Sequence, residues 1–102
     1  MTEEQKKLAE ALIKRINERM KNDEDFEEAR YTWYGWNWIE VSGSLKQVPG
    51  YKFIECQVPF DLLKNIEQNA DKFIEHWKEV TSPESIKGFA KFISDGEKWG
   101  WD

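Results

Sequence analysis

Leu8, Leu12, Ile16 and Met20 recur at every fourth position near the start of the chain, with Ala9 and Ile13 beside them and Lys and Glu filling the other positions. That spacing predicts one amphipathic helix with its apolar stripe turned to a core. Thr2-Glu3-Glu4-Gln5 marks its start, a capping-box pattern in which Thr2 and Gln5 satisfy backbone donors that no helical carbonyl reaches. The helix is expected to end near Asn22. Asp23 to Glu28 is five acids around one Phe and reads as a solvated connection or a single helical turn.

The pattern then changes period. Tyr31 to Val41 is dense in aromatic and β-branched residues and is predicted as a strand. Alternation puts Tyr31, Trp33, Ile39 and Val41 on one face and Tyr34, Trp36 and Trp38 on the other, unless Gly35 forms a bulge. Ser42-Gly43-Ser44 and Pro49-Gly50 read as turns around a short middle strand from Leu45 to Val48. Tyr51 to Val58 is the next strand, with Ile54, Cys56 and Val58 on one face and Tyr51, Phe53, Glu55 and Gln57 on the other. Pro59 ends it by removing a ladder donor.

Phe60, Leu63, Ile66, Ala70, Phe73, Trp77 and Val80 follow at intervals of three or four, widened by Leu62 and Ile74. They predict a long amphipathic helix over 60–80. Ser82-Pro83 restarts the chain with a cap and a proline at the first helical position. Ile86, Phe89, Ala90 and Ile93 form the buried stripe of a shorter helix, with Gly96 as its left-handed stop. Gly88 inside that helix costs about 1 kcal/mol against Ala, which points to close packing or fraying there. The predicted architecture is α+β: an N-terminal helix, a two- or three-stranded antiparallel sheet, a long amphipathic helix and a short C-terminal helix. No linker divides residues 1–102, so one domain is expected.

Composition narrows the chemistry. The 102 residues carry a net charge of −5, with 8 basic and 10 acidic side chains in residues 1–51 and 7 and 10 in residues 52–102. No basic patch forms, which disfavours direct nucleic-acid binding and favours a protein partner with a basic surface. Cys56 is the single cysteine, so nothing implies an oxidising compartment. The acidic N-terminus and the lack of a long apolar run predict neither secretion nor membrane insertion, and a cytoplasmic location is expected.

Catalytic signatures are missing. His76 is the only histidine, too few for a zinc site, so no metal or other cofactor is expected. Cys56 alternates with Ile54 and Val58 and reads as a small buried hydrophobe rather than a nucleophile paired with His76. Glu40 and Glu55 on the strands could form an acid–base pair, but if a long loop joins just two strands Glu40 faces Lys52 in an ordinary cross-strand ion pair. The chain therefore reads as non-enzymatic.

Two features remain as candidate binding elements. One is the aromatic set Trp33, Tyr34, Trp36, Trp38, Trp99 and Trp101, since six Trp in 102 residues is an unusual density and exposed Trp dominates interface energetics. The other is the acidic run Asp23, Glu24, Asp25, Glu27 and Glu28, a candidate phosphate mimic toward a basic partner. They predict a small acidic protein–protein interaction module. An inhibitor of a basic nucleic-acid-handling target would fit, whether an immunity protein, an antitoxin partner or a phage-encoded anti-defence (anti-CRISPR-like) protein. The alternative is a small-ligand or carbohydrate binder with a Trp/Tyr stacking platform. Base stacking on single-stranded nucleic acid lacks a basic groove, and homodimerisation is compatible with each reading.

Overall fold

The computed structural model describes residues 1–35 and 37–99, with Tyr34 and residues 97–99 described by their backbone alone. The element order is α1 (Glu3–Met20), β1 (Phe26–Tyr34), β2 (Trp38–Leu45), β3 (Val48–Pro59), a 3-10 turn (Phe60–Leu62), α2 (Ile66–Val80) and α3 (Pro83–Trp99). The strands form one antiparallel sheet in the order β1-β2-β3, with the helices against one face. This is the predicted α+β arrangement, with three strands.

The capping box forms as read: Gln5 N–H donates to Thr2 Oγ1 at 3.1 Å and Thr2 N–H donates to Gln5 Oε1 at 2.9 Å. Ala9, Leu12, Ile16 and Met20 are the buried stripe of α1. Asn17, on the same helix, reaches the edge of the sheet, where its Oδ1 accepts from Ala29 N–H at 2.8 Å and its Nδ2 donates to Ala29 O at 3.4 Å. One side chain thus takes the place of a neighbouring strand at that point of β1. Arg15 pairs with Glu67 at 2.5 Å and Arg19 with Asp71 at 2.6 Å, joining α1 to α2. These pairs are solvent-exposed, so each contributes about 0–1 kcal/mol and mainly sets helix register.

The core centres on rings. Phe26 meets Trp77 edge-on at 5.0 Å and Phe73 at 6.2 Å, while Phe53 meets Trp77 at 5.7 Å and Phe89 at 5.1 Å. Each such pair adds about 0.5–1.5 kcal/mol beyond the area it buries. The rings fit because β2 offers no side chain beneath them: a Cβ on Gly43 would stand 2.7 Å from Phe73 Cζ and 3.4 Å from the Trp77 ring.

Several strand boundaries differ from the sequence expectation, each for a local reason. Tyr31 to Val41 is two strands, because Gly35 adopts φ 63° and turns the chain back. The face assignment survives, since the hairpin pairs Tyr31 with Val41 and Trp33 with Ile39. Residues 26–28 belong to β1 rather than to a loop or helical turn, and β1 runs on through residues 29 and 30 into the expected strand. A register shift between Phe26 and Glu28 hides the alternation there, so Phe26 and Ala29 both face the helices and are buried. Ser42-Gly43-Ser44 lies inside β2, and Leu45 to Val48 is no strand of its own: the turn is Lys46-Gln47, flanked by the pair Leu45 and Val48. Pro49 and Gly50 lie inside β3, where Gly50 has φ 85°. The register shift between Gly43 and Ser44 opposes Gly43 to Ile54 and Ser44 to Lys52. Phe53 is the extra residue, and it turns to the helix side to meet Trp77 and Phe89 rather than lying with Glu55 and Gln57.

The helical boundaries shift as well. The predicted helix over 60–80 is a 3-10 turn followed by α2, with Asn65 as N-cap. Asn69 Nδ2 donates to Leu62 O at 2.8 Å and holds the two pieces together. Ser82 caps α3 by accepting from Ser85 N–H at 3.1 Å. Gly96 is helical rather than a stop, so α3 has 17 residues against 15 in α2. Around Gly88 there is open space within 4 Å, so close packing does not account for it.

The two glycines predict opposite outcomes in urea unfolding. Gly43→Ala overfills the ring layer and lowers stability by about 1–3 kcal/mol, whereas Gly88→Ala removes only backbone entropy and raises stability by about 0.5–1 kcal/mol.

Candidate interaction surface

The face of the sheet turned away from the helices is built by strand alternation alone. Ile39, Val41, Gly43 and Leu45 of β2 face the core, so Glu40, Ser42 and Ser44 face outward. Pairing arranges the outward residues in rows: Thr32, Glu40 and Gln57; Arg30, Ser42 and Glu55; Glu28, Ser44 and Lys52. Every position in these rows is polar. The central column is buried, with Glu40 8%, Ser42 7% and Ser44 1% exposed, because longer side chains on β1 and β3 rise on either side. Small serines between long neighbours leave a depression of about 200 Å³ lined by Arg30, Thr32, Glu40, Ser42, Ser44 and Lys52.

Electrostatics in these rows are tightly linked. Lys52 Nζ lies 3.1 Å from Glu40 Oε1 and 2.9 Å from Glu55 Oε2. Hydrogen bonding to Glu55, then burial, pushes the Glu40 carboxyl above its ordinary value. The same bond, then Lys52, holds Glu55 below its own. The two carboxyls therefore titrate as a linked pair, with Glu40 the later of the two to lose its proton. Their joint pull raises the Lys52 ammonium to about 12. Beside them Ser44 Oγ donates to Glu27 Oε1 at 2.7 Å and Gly50 N–H donates to the same oxygen at 3.0 Å, which lowers the Glu27 carboxyl.

The aromatic candidates divide between regions. Trp33 and Trp38 stand at the end of the β1–β2 hairpin, where Tyr34 pairs in register with Trp38. Trp33 is 52% exposed although its partner Ile39 is fully buried, since β1 is the outer strand of the sheet there. Leu62, also exposed, belongs to the 3-10 turn, which joins the same end through the Phe60 N–H bond to Asn37 O at 2.8 Å. Trp36 and Trp101 lie outside the described residues, and Trp99 is the last residue of α3, known by its backbone.

The acidic run sits at the other end of the sheet, since Lys46 N–H of the β2–β3 turn donates to Asp25 O at 2.8 Å. Glu27 and Glu28 lie within β1, and at about 3.3 Å per residue the five steps from Glu28 to Trp33 put about 17 Å between the near end of the run and that ring's strand position. Part of the run serves the fold: Asp23 Oδ1 accepts from the N–H groups of Asp25 and Phe26 at 2.9 and 3.0 Å, and Glu27 is held as above. Glu28 pairs loosely with Arg30 at 3.7 Å. Glu24 and Asp25 line a depression of about 540 Å³ against Gln47, Ser82, Ile86 and Lys87, where the buried Thr81 Oγ1 has no partner among the described residues.

Cys56 lies half-buried on the helix side with Ile54 and Val58, and burial pushes its thiol up, away from the thiolate a nucleophile needs. Among the described residues no group of three or more His, Cys, Asp or Glu is placed to hold a metal, and no helix is long and apolar enough to cross a membrane. Glu40 and Lys52 do pair, but not as two strands joined by a long loop would place them: Glu40 stands opposite Gln57 and Lys52 opposite Ser44, and the ion pair is diagonal. The roles of Ser42, Thr32 and Arg30 were not legible in the sequence, although their alternating polar positions carry the signal. No protein-family model, curated protein or solved structure matches this chain.

Lys52→Met removes the cation that partners a nearly buried Glu40. Breaking a fully buried pair costs roughly 3–5 kcal/mol, and the exposure of Lys52 reduces the expected loss to about 1–2 kcal/mol at pH 7. A carboxyl with a raised folded-state value favours folding most below its unfolded value and less above it. The loss should therefore shrink toward pH 4, where Glu40 takes a proton, as followed by thermal unfolding of both proteins across pH 4–8.

Proposed function

We propose that this chain is a small, acidic, non-enzymatic protein-interaction module that inhibits a basic, nucleic-acid-handling target, in the manner of a phage-encoded anti-defence or immunity protein. The observation that carries this reading is Trp33. A large ring stands half in solvent on a strand whose opposite residue is fully buried, so its backbone is ordered before any partner arrives and only side-chain freedom remains to be lost on contact. Exposed Leu62 belongs to the same end of the domain, and the net charge of −5 favours a basic partner. Neither of the two depressions described above is lined by Trp, which is why a protein surface is preferred here to a stacked sugar.

Trp33→Ala should leave the unfolding midpoint nearly unchanged, because the ring is already half-hydrated. It should weaken binding to an isolated partner by about 2 kcal/mol or more, measured by calorimetry once a partner has been captured by crosslinking to the wild-type protein. Unfolding of Trp33→Ala, or partner binding indifferent to Trp33 and to Leu62→Ser, would remove the basis of this reading.

A further inference from the structure

The outer edge of β1 is closed at one point and open beyond it. In an antiparallel ladder the backbone groups of successive residues point alternately toward the neighbouring strand and away from it. Ala29 fixes how they alternate here, because both its N–H and its C=O turn away from β2 to Asn17. The pairing runs without a shift from Glu28 to Tyr34, so Tyr31 and Trp33 also turn their N–H and C=O groups outward, while Arg30 and Thr32 bond to Ser42 and Glu40. Among the described residues no hydrogen bond answers the outward groups of Tyr31 and Trp33. One donor and one acceptor at each residue therefore line the rim beside the half-exposed Trp33 ring.

The opposite edge of the sheet is defended. β3 ends on Pro59 and changes register beside Phe53, and a proline and a bulge are two of the devices that keep a strand edge from pairing. From Glu28 to Tyr34, β1 has neither. Such an edge specifies its own occupant, since N–H and C=O groups spaced in this way are matched along their length by another extended backbone. Side-chain alternation adds the rest. Tyr31 and Trp33 lie on the helix side and Arg30 and Thr32 on the outward side, so an added strand sets apolar residues beside the two rings and polar residues beside Arg30 and Thr32. Asn17 sets where that strand stops, because at Ala29 the ladder is already occupied.

We propose that an extended segment of the partner, apolar at alternate positions, adds to the three-stranded sheet as a further strand along Tyr31 and Trp33 of β1, with its apolar side chains against the Trp33 ring. This rests on the protein-interaction reading above and names the form in which the partner docks.

The test uses the ¹⁵N-labelled protein and the peptide acetyl-Lys-Val-Thr-Val-Thr-Val-Lys-amide in two forms with identical side chains, one N-methylated at its valines and the other at its threonines. In the free protein the Tyr31 and Trp33 amides should exchange with water faster than those of Arg30 and Thr32. A strand seated with its valines beside the rings aims the valine N–H groups at β1 and the threonine N–H groups away. The threonine-methylated peptide should therefore move the Tyr31 and Trp33 signals, leave the Asn17-bound Ala29 amide in place, and bind about tenfold tighter than the valine-methylated one. Equal binding of the two forms, binding of neither, movement at Glu55 and Gln57 instead, slow exchange at Tyr31 and Trp33 in the monomer, or a dimer by sedimentation with those amides protected would each overturn the proposal. Failure of the peptide leaves the Trp33→Ala measurement to decide the protein-interaction reading, whereas a captured partner indifferent to Trp33→Ala strikes that reading and leaves the difference between the two peptides in place, so the two fail separately.

Discussion

The seating of Phe73 and Trp77 on the bare backbone of Gly43 is the contact on which the rest of this structure depends. It sets the distance between the helix layer and the sheet, because any side chain at that point would stand inside the Phe73 ring. With α2 drawn down to β2, Phe26 from β1 and Phe53 from β3 reach the Trp77 ring from opposite neighbours in the sheet, and Phe89 brings α3 in through Phe53. One small residue on the central strand thereby gathers every strand and both C-terminal helices. The register shift at Phe53 follows from the same demand, since without the extra residue that ring would lie on the solvent face.

A sheet covered on one side must keep the other side wet, and this chain does so with polar side chains at successive outward positions. Long residues on the outer strands bury the short ones of β2, which turns an otherwise flat face into a shallow notch with the Glu40–Lys52 ion pair at its side. The outward face lies away from the helices and the Trp33 ring stands half in solvent, so whatever chemistry those regions carry is available to a partner. The acidic run, by contrast, is partly consumed by the fold, with Asp23 ordering the entry to β1 and Glu27 bracing Ser44 and Gly50.

The helices were legible because their signals are local. The Thr2 box, the Ser82 cap and the stripes at intervals of three and four each report a periodicity that neighbouring residues complete among themselves. The strands were half-legible. Alternation assigned Tyr31, Trp33, Ile39 and Val41 to one face correctly even though a hairpin intervenes, because the turn at Gly35 pairs residues of equal parity and leaves the alternation unbroken. For the same reason it could not reveal that the chain reverses there. Ser42-Gly43-Ser44 resembled a turn because small residues suit turns, yet they are small because rings press on one side and a notch opens on the other. Phe53 and residues 26–28 were misplaced by register shifts, which break the alternation on which the reading relies.

What the sequence determined by itself was therefore the set of elements, their amphipathic faces, the acidic balance and the absence of familiar catalytic spacing, all properties of residues near one another in the chain. What only the tertiary structure decided was the register. Which carboxyl reaches Lys52, which Trp stands half in solvent and which acids brace the strands all depend on cross-strand pairs. Those pairs are set by ring packing over Gly43 between segments some thirty residues apart, and no local pattern encodes a contact whose two halves lie that far apart in the chain.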